Sequence, residues 1–160
     1  MSSRMGQRAG ISREPASSRT RKLALARWTV QTIAEVPIVP DGDPDDAVWY
    51  PLQHALGIDT FGVNLFVASG AGQTLVEEHD EGASGQQELY LVLEGEAMFE
   101  LDGEEAHLGR GTALAITEPS VRRSARAVHP GTTLLIVGAG RSPFTSTWNP
   151  SHFTDIRCPD

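Results

Sequence analysis

Apolar and polar residues alternate along most of this chain from residue 61 onward. In segment 61–69, for example, every second residue from Phe61 to Val67 has a large apolar side chain. Side chains on a β-strand point alternately to its two faces, so a period of two predicts strands. The pattern predicts strands at 28–33, 61–69, 73–78, 89–93, 96–101, 105–108, 112–117, 121–128 and 132–137.

Turn residues separate these predicted strands at short, regular intervals. Gly70 to Gly72 and Pro130-Gly131 are two such breaks, and Asp102-Gly103 is a strong signal for a two-residue hairpin. Segment 49–58 is ambiguous because Pro51 interrupts any helix there. No long helical pattern is present, so the sequence predicts an all-β sandwich or barrel.

The charge of the chain is divided unevenly between its N-terminal segment and the rest. The net charge is -8, yet residues 1–27 hold seven Lys or Arg residues against the single acid Glu14. This segment has almost no large apolar residue, so we expect a disordered basic arm. The acidic remainder repels nucleic acid, and only the arm could attract it. At 160 residues, the chain has the length of one domain.

Two absences bear on the compartment. No apolar run approaches the roughly 18 residues of a membrane span, and no apolar segment follows the basic N-terminus as a secretory signal requires. Cys158 is the only cysteine, so no intrachain disulfide can form. We therefore expect a cytoplasmic protein without a membrane partner.

Candidate chemistry is concentrated in segment 79–95. His79 and Glu81 are two residues apart and share one face of an extended strand. After a loop rich in Gly and Ser, Glu88 and Tyr90 share a face that a hairpin would bring opposite His79 and Glu81. Imidazole and carboxylate groups that converge inside a β-structure suit a divalent transition metal.

Segment 72–95 resembles the first motif of the cupin superfamily, which reads Gly, five residues, His-x-His, three or four residues, Glu, six residues, Gly. Glu88 and Gly95 keep the final spacing. His79-x-Glu81 replaces His-x-His, Gly72 lies one residue further ahead, and six residues separate Glu81 from Glu88. The resemblance to small single-domain bacterial cupins implies a jelly-roll barrel, a double-stranded β-helix, over residues 28–148, with a C-terminal tail at 149–160.

The second cupin motif usually supplies a further His ligand, and this chain has none at that place. Depending on how the segment from Gly111 is aligned, Arg122, Arg123 or Ser124 occupies the ligand position. A guanidinium stays protonated and offers no lone pair to a metal. An Arg that points inward could instead pair with a carboxylate or clamp an anionic ligand.

The resemblance implies a protein that binds a small molecule inside the barrel. Our main hypothesis is an enzyme acting on a small, anionic organic metabolite. His79, Glu81 and Glu88 would either hold iron, zinc, nickel or manganese or act as acid and base. Its catalytic residues would be His79, Tyr90 and Arg123, and its substrate pocket would include Arg122 and Ser124. The alternative is a non-catalytic, metal-free binding or sensor module in which an Arg anchors an anion. Neither hypothesis needs an organic cofactor.

We also expect a homodimer. Leu89, Leu91 and Leu93 leave an apolar face on one strand of the predicted sandwich. A large apolar patch and an open sheet edge are both features that a second copy can cover.

Overall fold

A computed structural model describes residues 28–39, 43–140 and 142. The predicted arm (1–27) and tail (149–160) lie outside the described residues. A 3₁₀ helix (Ile33–Glu35) and one short α-helix, α1 (Leu52–Leu56), accompany nine strands within this part of the chain. The strands are β1 (Val48–Tyr50), β2 (Gly62–Val67), β3 (Thr74–His79), β4 (Gln87–Glu94), β5 (Glu96–Leu101), β6 (Glu104–Gly109), β7 (Ala113–Ile116), β8 (Arg123–Ala127) and β9 (Thr133–Ala139).

The strands form two antiparallel sheets that face each other across one core. Sheet A has the order β1-β2-β9-β4-β7, and sheet B has the order β3-β8-β5-β6. Inward side chains of both sheets, among them Tyr90, Leu134 and Phe99, are almost wholly buried between them. The all-β prediction is therefore confirmed, and the alternating pattern arises because each strand places every second side chain in this core.

Eight of the predicted strands correspond to β2 to β9. The predicted strand at 28–33 is wrong, because this stretch is irregular and then enters the 3₁₀ helix. Trp28 and Val30 are 78% and 84% exposed, and their alternation therefore reflects no packing against a sheet. The ambiguous segment divides at Pro51, which ends β1 and precedes α1.

Two tight turns depend on backbone conformations that favour glycine. The predicted hairpin at Asp102-Gly103 joins β5 and β6, and both residues have positive φ, at 50° and 89°. Gly95, between β4 and β5, has a φ of 73°. A Cβ there would lie only 2.6 Å from Oγ1 of the buried Thr132, so no larger residue fits.

The outer face of sheet A is covered unevenly. Val36 and α1 pack against β2, where they bury Val63 and Leu65. On β4, which lies on the other side of β9, Leu89 and Leu93 remain 43% and 42% exposed. No helix in the described part of the chain has the length and hydropathy of a membrane span.

This uncovered apolar face gives the predicted homodimer a specific interface to test. We expect light scattering at micromolar concentration to give twice the mass of one chain, and the double variant Leu89→Glu/Leu93→Glu to give a single chain, because charges on the patch oppose its burial. Val30→Glu is the matched control, since Val30 is exposed outside the sheets. A wild type with the mass of one chain would refute the dimer.

Candidate functional site

A cavity of about 440 Å³ opens between the two sheets beside the predicted site. Its apolar lining includes Trp49, Phe66 and Ile136, and its polar lining includes His79 and Glu88. A wider concavity of about 620 Å³ lies on the loops around 82–85 and 117–120 and contains none of the predicted ligands. The cavity between the sheets is therefore the one at which the predicted site residues could act on a ligand.

His79 ends β3, at one side of the cavity. Its Nδ1 lies 2.7 Å from the carbonyl oxygen of Glu77, which can only accept a hydrogen bond, so Nδ1 carries a proton. Its Nε2 lies 3.8 Å from Oε2 of Glu88 and 4.0 Å from Oε1 of Glu81. The neutral ring therefore keeps its lone pair on Nε2, between two carboxylates.

Glu88 belongs to the other sheet, so the convergence differs from the predicted one. β3 lies in sheet B and β4 in sheet A, and His79 meets Glu88 across the sandwich instead of across a hairpin. Glu81 lies in the loop that follows β3. The alternation placed these side chains on inward faces, but the hairpin prediction is wrong because the loop after β3 carries the chain from one sheet to the other.

Three donors meet at one oxygen of Glu88. Oε2 accepts a hydrogen bond from the hydroxyl of Tyr90 at 2.5 Å, one from Nε of Arg123 at 3.1 Å and a shorter one from Nη2 of Arg123. Burial alone would raise the pKa of Glu88, but the nearby His79 ring and the hydrogen bonds from Tyr90 and Arg123 outweigh it and lower that pKa to about 2. Glu88 is therefore a fixed negative charge at neutral pH.

Arg123 is the inward residue among the three alternatives of the second motif. Its side chain is fully buried, and besides Glu88 it donates to the carbonyl oxygens of Val121 at 2.9 Å and Pro119 at 3.3 Å. Its Nε also lies 3.3 Å from the hydroxyl of Tyr90. Because these partners occupy the guanidinium and Arg123 does not line the cavity, it supports Glu88 and is not placed to touch a ligand.

The structure places Arg122 and Ser124 outside the cavity. Arg122 forms an exposed ion pair with Glu78, and Ser124 lies opposite Glu100 on the outer face of sheet B. Neither residue is among those that line the space between the sheets. The predicted site thus separates into an inner group, His79, Glu81, Glu88, Tyr90 and Arg123, and two residues at the surface.

The predicted metal ligands lie close enough to hold a cation. One ligand atom from each of His79, Glu81 and Glu88 lies within 4.8 Å of the others. Two of the three carry competing partners, since Glu88 accepts three hydrogen bonds and Glu81 accepts from Ser84 and Gln86. The buried positive charge of Arg123 also repels a cation at Glu88. Distance permits a metal, but charge and hydrogen bonding favour the ion pair.

Three further lining residues were not singled out from the sequence. Asn64 and Phe66 occupy alternate positions of β2, and Trp49 belongs to β1. The signal available for Asn64 was a polar side chain in an otherwise apolar strand. Trp49 lay in the ambiguous segment, so only the fold assigns it to the cavity.

The buried Arg123–Glu88 pair should carry much of the stability of this region. We expect Glu88→Gln and Arg123→Met each to lower the free energy of unfolding by about 3–5 kcal/mol, because either change leaves a buried charge without its partner. Since the pKa of Glu88 falls from 4.5 to about 2, this stabilisation is present above pH 4.5 and is lost as the pH falls through about 2. Urea denaturation at several pH values measures both effects.

The exposed Arg122–Glu78 pair is the matched control for that experiment. Arg122 directly precedes Arg123 in the sequence and Glu78 lies on β3, but these two side chains are 64% and 59% exposed. Glu78→Gln should therefore cost less than about 1 kcal/mol. Equal losses from Glu78→Gln and Glu88→Gln would contradict the role given to the buried pair.

Comparisons with known proteins identify the fold. No protein-family model and no curated protein matches the sequence. A cupin protein from Bacteroides fragilis superposes with a TM-score of 0.59 at 18% identity, over 84% of this chain and 99% of that one. An RmlC-like cupin from Shewanella frigidimarina gives 0.53 at 16% identity, over 72% of this chain and 96% of that one.

A third solved structure that resembles the chain is Pac13 from Streptomyces, described as a nucleoside dehydratase. It superposes with a TM-score of 0.51 at 14% identity, over 70% of this chain and 82% of that one. At these identities the likeness concerns the fold alone. The chain therefore has the cupin fold that its sequence predicts.

Proposed function

We propose that this cupin is an enzyme that transfers protons on a small organic molecule in the cavity between its sheets, with His79 as the general acid and base. The observation that carries the proposal is the fixed orientation of His79. Its Nδ1 is held by the carbonyl of Glu77, and its Nε2, beside the cavity, is left to accept or donate a proton.

The electrostatics around His79 suit this role. The nearby Glu88 carboxylate raises the pKa of His79 above its ordinary value of 6.5, against the opposing effect of burial. The raised pKa makes Nε2 a stronger base than that of a free imidazole, and the ring that has taken up a proton can return it as an acid. Tyr90 and Arg123 act as positioning residues, because they keep Glu88 ionised and in place.

A balanced reaction follows from one such group. Nε2 removes a proton from a carbon next to a carbonyl, which leaves an enolate. The imidazolium returns that proton either to the former carbonyl carbon of an α-hydroxy carbonyl, whose hydroxyl proton passes to the former carbonyl oxygen, or to a β-hydroxyl group that leaves as water. The first outcome is an isomerisation and the second a dehydration. The nucleoside dehydratase Pac13 is an example of the second outcome on a similar fold.

A metal enzyme is the second candidate. It is favoured by the mutual closeness of His79, Glu81 and Glu88, which could hold iron, zinc, nickel or manganese. The non-catalytic module with an Arg that anchors an anion has less support, since Arg123 is buried and occupied by protein partners.

The proton-transfer proposal predicts a shifted titration of His79. Measured by NMR, the pKa of His79 should exceed 6.5 in the wild type. It should be lower in Tyr90→Phe, which leaves the Glu88 carboxylate less firmly held, and lower still in Glu88→Gln, which removes the carboxylate charge. By linkage, His79 stabilises the fold below pH 6.5, and this contribution is lost as the pH rises through the raised pKa. Glu96→Gln is the control, because Glu96 contacts His107 and not His79.

A pKa of His79 that is not raised in the wild type, or that does not change in Glu88→Gln, would count against the role of His79 as acid and base. Tyr90→Phe protects the test if Glu88→Gln unfolds the protein, since the hydroxyl alone is removed.

Metal content separates the two candidate functions. The proton-transfer proposal expects untagged wild-type protein to contain far less than one divalent metal per chain by mass spectrometry, because Arg123 opposes a cation. If Arg123→Met remains folded by circular dichroism, it should take up more metal than the wild type. Stoichiometric metal in the wild type that disappears in His79→Ala would instead establish the metal enzyme.

A further inference from the structure

The cavity has an aromatic wall that the proton-transfer chemistry does not use. Trp49 on β1 lies opposite Phe66 on β2, and their rings are stacked, with centroids 5.9 Å apart and planes at 15°. Both side chains line the cavity, together with Ile136 from β9. Flat aromatic surfaces of this kind favour a ligand that is itself flat, because stacked rings gain more than buried area alone.

An oriented amide lies beside this wall. The indole nitrogen of Trp49, which can only donate, lies 2.9 Å from Oδ1 of Asn64. This contact fixes the amide and leaves Nδ2 of Asn64 without an acceptor among the described residues, although Asn64 lines the cavity. A few fixed polar groups in an apolar pocket determine how a ligand is oriented. Here the fixed group is a hydrogen-bond donor.

The charges that face the cavity oppose an anion. Asp46 and Glu77 both line it, and no Lys or Arg of the described residues does. The charge of Arg123 is compensated by Glu88 and buried behind it. His79 is therefore the one lining group in the described part of the chain that can become positive. A phosphate or carboxylate would meet carboxylates with no permanent cation to pair with.

We propose that the cavity binds an uncharged, planar ring that packs against Trp49 and Phe66 and accepts a hydrogen bond from Nδ2 of Asn64. The sequence alone favoured an anionic metabolite, and the lining charges reverse that expectation. The proposal names the substrate class of the proposed enzyme and rests on it only for the chemistry, since binding of the ring does not require His79.

Matched pairs of probes test the charge selection. Nicotinamide and nicotinate have the same shape and differ in charge, and uridine and uridine 5′-monophosphate differ by the phosphate. We expect calorimetry and saturation-transfer NMR on the full chain to show that at least one uncharged member binds, about tenfold or more tighter than its anionic partner. The double variant Asp46→Asn/Glu77→Gln should reduce this difference in affinity without weakening the binding of the uncharged probe.

Further variants test the contacts. Asn64→Leu and Trp49→Leu should each weaken binding of the uncharged probe about tenfold or more, whereas Trp28→Leu, which changes a tryptophan that is 78% exposed and outside the cavity, should not. If Trp49→Leu fails to fold, Asn64→Leu and the double variant Asp46→Asn/Glu77→Gln still test the proposed ligand class.

Anionic members that bind as tightly as or more tightly than their uncharged partners would overturn the proposal, as would no binding of any probe at millimolar concentration. His79→Ala separates this inference from the proposed function. Ring binding that survives His79→Ala supports the ligand class even if the NMR titration contradicts the role of His79 as acid and base. If the probes bind without charge selectivity while the pKa of His79 is raised as predicted, the ligand class is wrong and the proposed function stands.

Discussion

The buried ion pair between Arg123 and Glu88 is the interaction on which the inner site depends. It joins the beginning of β8 in sheet B to the beginning of β4 in sheet A across the sandwich. Removing two charges from water is costly, and that cost is recovered only when each charge is fully hydrogen-bonded. Here the guanidinium also reaches two backbone carbonyls, and the carboxylate also accepts from Tyr90. These hydrogen bonds offset the cost of burying the pair, and the pair fixes the position of one sheet relative to the other.

The same pair determines the electrostatic character of the cavity. In the cupin motif, a His at this place would bring a lone pair toward a metal, whereas Arg123 brings a permanent positive charge to the carboxylate of Glu88. Together with His79 and Tyr90, that charge keeps the carboxylate ionised, and the carboxylate in turn raises the pKa of His79. A single residue type thus connects the architecture of the core to the titration of the side chain at the edge of the cavity.

The strands were predictable because their pattern is local, whereas the pairing was not. Alternation within β2 or β5 reports which residues face a core, but it does not say which sheet supplies the opposite face. β3 and β4 follow each other in sequence and lie in different sheets, so a hairpin was the natural but wrong expectation. The stretch 28–33 shows the converse, since alternation without a partner strand did not form a strand.

The inward arginine could not be chosen from the sequence because strand register has a period of two. A slip of one residue along β8 exchanges its inner and outer faces, and Arg122, Arg123 and Ser124 are adjacent. β3, the partner of β8, carries two register shifts, which no local pattern reveals. With Arg123 inside, Arg122 lies at the surface beside Glu78, and the cavity retains Asp46 and Glu77 without a Lys or Arg from the described chain. The register of β8 therefore decides which charges line the cavity.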